Sequence, residues 1–73
     1  MKVIMTGWEE GMKKVSLSML QTECLGLPLK EAKSNVDRLL AGEEVELHIV
    51  TLEKAQNFVK EARSLGVVCK IVR

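Results

Sequence analysis

Aromatic residues are nearly missing from this chain: Trp8 and Phe58 stand alone among 73 residues, with no tyrosine. Its core must therefore close on Val, Leu, Ile, Met and Ala. Neither sign of charge is in excess, since 11 basic residues face 10 acidic ones for a net charge of +1. That balance does not favour phosphate-driven nucleic-acid binding, which needs a concentrated basic face. RNA contact as one part of a larger assembly stays open. Cysteine occurs only as Cys24 and Cys69 and histidine only as His48. Without CxxC spacing these fall short of the roughly four ligands of a structural zinc site. The two thiols are expected to be free and buried, in a reducing cytosol. No apolar run approaches membrane length, and Met1–Gly7 is too short and too soon polar for a signal peptide. The expected location is cytoplasmic.

What is present points to one small globular domain over residues 1–73. Hydrophobic residues make up 47% and charged ones 29%, enough for both a core and a solvated surface. The chain turns on Leu25-Gly26-Leu27-Pro28-Leu29-Lys30-Glu31-Ala32-Lys33. A helical pattern runs into it and breaks at Gly26, which takes a left-handed conformation with no Cβ penalty. A second helix then starts at Pro28 or Leu29, and a proline in its first turn gives up only an N–H that would be unpaired anyway. The stretch reads as a tight corner between two helices.

In order, Lys2–Thr6 reads as a strand ended by Gly7. Its run Val3, Ile4, Met5 points to pairing on both sides. Trp8-Glu9-Glu10-Gly11 reads as a loop, with Trp8 either across an edge of the core or exposed as a partner anchor. From Met12 or Lys13 to Leu25, Leu17, Leu20 and Cys24 share one helix face, and Val15 and Met19 form a second apolar line. From Leu29 to Leu40, Leu29, Ala32, Val36, Leu39 and Leu40 mark a buried stripe and Lys30, Glu31, Lys33 and Asp37 a solvated flank. Glu44–Val50 alternates as a half-buried strand, with His48 on its wet face. Thr51 caps a third helix that buries Ala55, Phe58, Val59, Ala62 and Leu65 and stops at Gly66. Val67–Val72 closes the chain as a strand, with Val67, Cys69 and Ile71 inward.

The order β-α-α-β-α-β forces strands one and two antiparallel and strands two and three parallel to each other. Placing strand one between them satisfies both, in an antiparallel sheet of order 2-1-3 covered on one face by all the helices. The predicted fold is thus a two-layer α+β sandwich. Its open face would carry Ile4, Thr6, His48, Val50, Val68 and Val72 beside Glu46 and Lys70. That is more aliphatic surface than solvation requires, and it opens the possibility of self-association.

The run Gly26-Leu27-Pro28-Leu29-Lys30-Glu31-Ala32-Lys33, after a helix containing Lys13-Lys14-Val15, resembles the C-terminal domain of the bacterial ribosomal stalk protein. The similarity runs without a gap from Lys14 to Lys33, with weaker support from Gly66–Arg73. The resemblance implies the same fold, which the Clp-protease adaptor also shares, and a domain that is not an enzyme and uses no cofactor. It implies recruitment of translational GTPases to the ribosome through the exposed side of the first helix and the start of the second. Carried over by position, that surface is Lys14, Val15, Ser16, Ser18, Met19, Thr22, Lys30 and Lys33. Met19 and Thr22 stand where the family has a lysine and an arginine, Ser18 replaces an isoleucine, and Pro28 a glycine. Losing two cations weakens steering toward an acidic partner. The family's N-terminal dimerisation domain and hinge have no counterpart, so a free-standing domain is expected. The alternative function is a protease adaptor of the Clp type, although an acidic loop for a substrate's amino terminus is missing. Catalysis would need His48, Cys24 and carboxylates to converge, and the pattern puts His48 outside and Cys24 inside.

Overall fold

The computed structural model describes residues 1–72; Arg73, the last position of the Gly66–Arg73 resemblance, lies outside the described residues. The elements are β1 (Lys2–Trp8), α1 (Lys14–Leu25), α2 (Leu29–Leu40), β2 (Val45–His48), α3 (Leu52–Ser64) and β3 (Val67–Val72). The sheet has the order β2-β1-β3, and β1 pairs antiparallel with both neighbours. This is the two-layer α+β architecture expected from the order of elements.

One face of the sheet supplies Val3, Met5, Val45, Leu47, Val67 and Cys69 to a single core. The helices supply Leu17, Val36, Leu39, Phe58 and Val59 to the same cluster. Phe58, with no exposed surface, is among its largest members, so one aromatic and many aliphatics fill the space between sheet and helices. The open face keeps Glu46, His48, Val68 and Lys70 exposed, with Ile4 and Val72 half-buried. Lys2 and Glu46 form an ion pair of 2.8 Å across it.

The local signals explain the ends of the elements. Gly26 sits at φ 69° after α1, and its N–H donates to the Thr22 carbonyl at 3.1 Å. Thr51 accepts from the Lys54 N–H at 3.2 Å and starts α3. Gly66, at φ 91°, stops the chain after α3 so closely against Met12 that a Cβ would lie 3.2 Å from the Met12 Cα.

Several boundaries and burials differ from the sequence reading, and Leu20, Leu40 and Leu65, expected in the core, are half-buried. β1 does not stop at Gly7. The register skips Thr6 between Met5↔Cys69 and Gly7↔Val68, and this bulge carries the strand on to Trp8. Trp8 is therefore the last strand residue, opposite Val67 and 44% exposed, rather than part of a loop. β2 is shorter than Glu44–Val50: its ladder ends at Lys2↔His48, and Val50 turns out into a bend before the Thr51 cap. Of the two starts expected for α2 the structure has Leu29, with Pro28 capping the helix from outside at ψ 143°. Leu29, placed in the buried stripe by spacing, is 43% exposed because α2 starts there, at the open end of the corner.

Candidate protein-binding groove

The corner at Gly26–Pro28 folds α2 back alongside α1, and two buried amides lock the pair. Gln21 of α1 is wholly buried. Its Nε2 donates to the Ala32 carbonyl at 3.2 Å and, more weakly, to the Leu17 carbonyl at 3.4 Å. Its Oε1 accepts from Asn35 Nδ2 at 2.9 Å. A buried amide left unpaired is costly, so this network fixes which turns of the two helices meet.

Beside it the helices leave an open groove of about 360 Å³. Val15 and Met19 line it from α1, and Leu29 and Val36 from α2. Val15 is 79% exposed, and Met19 and Leu29 43% each, although all belong to helices with buried faces elsewhere. Lys14 and Lys33 stand on the rim with Asp37. Among the described residues neither lysine makes an ion pair, the salt bridges being Lys2–Glu46 and Arg38–Glu43. An apolar centre with a charged rim is the ordinary anatomy of a protein-binding patch.

The groove brings together Lys14, Val15, Ser18, Met19 and Lys33 of the predicted surface. Ser18 is not an exposed contact, however. Only 5% of it is accessible, and its hydroxyl donates to the Lys14 carbonyl at 3.2 Å, so it forms the floor. Thr22 lies half-buried outside the groove, with its hydroxyl oxygen covered and unpartnered. Lys30 and Ser16 are exposed but do not line the groove. Leu29, Val36 and Asp37 were not among the predicted contacts. The signal for Leu29 was its place just after Pro28, where a helix's first residue has no preceding turn to cover it.

Other reactive groups lie apart. His48 ends β2 opposite Lys2, whereas Cys24 lies in the last turn of α1. Both cysteines are free; Cys69 is buried and Cys24 half-buried, which departs from the expectation of two buried thiols. Burial pushes the Cys24 thiol above its ordinary pKa, with Glu23 and Glu61 adding to the shift and Lys54 opposing it. Burial does the same to Cys69 against the pull of Arg63. The Lys2 hydrogen bond, and then its charge, hold the Glu46 carboxyl below its ordinary value. Among the described residues no group of three His, Cys, Asp or Glu is placed to hold a metal ion. No described helix is long and apolar enough to cross a membrane.

The fold and groove define a two-layer α+β domain with an open, apolar-lined groove between its first two helices. No protein-family model, curated protein or solved structure matches the chain.

Proposed function

We propose that this domain is a non-enzymatic protein-interaction module that seats a partner protein in the α1–α2 groove, in the manner of the ribosomal stalk C-terminal domain it resembles. The observation that carries the reading is Val15, Met19 and Leu29 left exposed around one groove with unpaired lysines at its rim. Isolated surface aliphatics need no explanation, but aliphatics gathered in a rigid groove between two locked helices make a docking surface. By the resemblance, the partner class is the translational GTPase. Because Met19 and Thr22 replace two family cations, contact here rests more on apolar burial and less on charge.

The test is direct binding to a purified bacterial elongation factor, with Met19→Glu and Lys33→Glu variants. Met19→Glu is expected to stay folded and to abolish binding, since a charge would be buried in the apolar centre. Lys33→Glu is expected to weaken binding severalfold in low salt and little in high salt. A wild-type domain that ignores translational GTPases and ribosomes alike overturns the translation reading. A Met19→Glu variant that unfolds places Met19 in the core and removes the groove as a contact.

A further inference from the structure

We propose a second binding surface, at the free edge of β3, that takes an extended acidic segment of another protein as a fourth strand. The order β2-β1-β3 leaves one side of β3 unpaired over the six residues Val67–Val72. The Thr6 hydroxyl donates to the Val68 carbonyl at 3.3 Å, so that carbonyl points toward β1. Backbone groups alternate along a strand, which turns those of Cys69 and Ile71 toward the free edge. The Cys69 carbonyl accepts from Arg63 Nη2 there, at a long 3.3 Å. Cys69 itself is only 4% exposed, so the half-buried Ile71 is where both backbone groups remain for an incoming strand, the mode in which main-chain bonds give affinity and flanking side chains give specificity.

A groove of about 590 Å³ runs beside this edge, between it and α3. Val59 and Ile71 supply its apolar part, and each charged side chain lining it is a cation: Lys60, Arg63 and Lys70. In a chain with 10 acidic residues against 11 basic ones, that segregation is local and selects an occupant of opposite charge. The opposite edge differs. β2 is only four residues long, with Glu44 just before it and Glu46 already paired to Lys2. Its brevity makes another copy's β2 a poorer fourth strand than a longer acidic segment. A nucleic-acid strand fits less well, because no aromatic side chain lines the groove for stacking and a phosphodiester makes no backbone ladder.

The experiment titrates the isotope-labelled domain with an end-blocked peptide of alternating Thr and Glu, its Gln counterpart and an oligothymidylate. The acidic peptide is expected to shift the amides of Cys69 and Ile71, to protect that of Ile71, and to leave those of α1 unmoved. Lys60→Glu, an exposed change outside the core, should weaken it at least about tenfold, and Met19→Glu should leave it unchanged, separating this edge from the α1–α2 groove. Equal binding of the Gln peptide, shifts confined to α1, or no binding at millimolar peptide each overturns the proposal. So does tighter binding of the oligothymidylate, which would make the edge a phosphate site. Concentration-dependent shifts of Cys69 and Ile71 without peptide would make another copy the occupant, with the same consequence.

Discussion

Gln21 and Asn35 hold more of this molecule's geometry than any aliphatic pair, because their hydrogen bonds have direction. Removing Gln21 leaves the buried Asn35 Nδ2 without its partner, and the Ala32 carbonyl without its side-chain donor, at a cost of about 2–4 kcal/mol for Gln21→Ala. Asn35→Ala should cost about 1–3 kcal/mol, and the double variant less than the sum, which denaturant titration of all three would measure. Additive losses would mean that the two amides do not act together. The two thiols give a second expectation. A folded-state pKa above the unfolded one means that the unfolded chain gives up its proton first as pH rises. Stability is then fully present below the ordinary thiol range and declines above about pH 9. Cys69→Ala should flatten that decline while lowering stability throughout, as urea midpoints at several pH values would report. The sequence showed the buried amides only as polar residues on core stripes: Gln21 follows Leu17 by four positions and Asn35 follows Ala32 by three. Periodicity treats such residues as noise. Their partners become visible only when two helices are side by side.

At the scale of elements, the corner and the caps were legible because they depend on a few residues and local backbone chemistry. Gly26, Thr51 and Gly66 act where the spacing put them. The β1 bulge was not legible. Gly7 reads as a stop, and only the pairing with β3 shows that the strand steps over Thr6 and goes on. Of the left-handed glycines, Gly26 and Gly66 can be told apart by what surrounds them. A Cβ on Gly26 would meet nothing within 4 Å, so Gly26→Ala carries only the backbone penalty, about 1 kcal/mol. At Gly66 the same penalty is joined by the Met12 backbone at 3.2 Å, in the segment that leads into α1. Gly66→Ala should therefore cost about 2–4 kcal/mol in thermal or urea unfolding. Equal losses at the two sites would show that the Met12 segment gives way freely.

For the whole molecule, topology followed from counting connections. Two helices between β1 and β2 and one between β2 and β3 left β1 the central place. What such counting does not show is how much surface each exposed face offers, and that decides association. The open sheet face spans three strands of at most about six paired residues, or about 14 by 20 Å of projected area. Even doubled for the roughness of side chains, about 560 Å² remains below the roughly 800 Å² per partner of a stable interface. Its middle is also crossed by the Lys2–Glu46 pair, with Lys70 across Ile4 from Glu46. Stacking two such faces would desolvate those charges without an apolar centre large enough to offset the cost. The self-association allowed by the face's aliphatics should therefore be weak, and the domain monomeric at micromolar concentration. Sedimentation equilibrium over a hundredfold range of concentration would check this. A dimer that persists at the dilute end and is broken by Val68→Lys would show instead that the face is a homodimer interface despite its size.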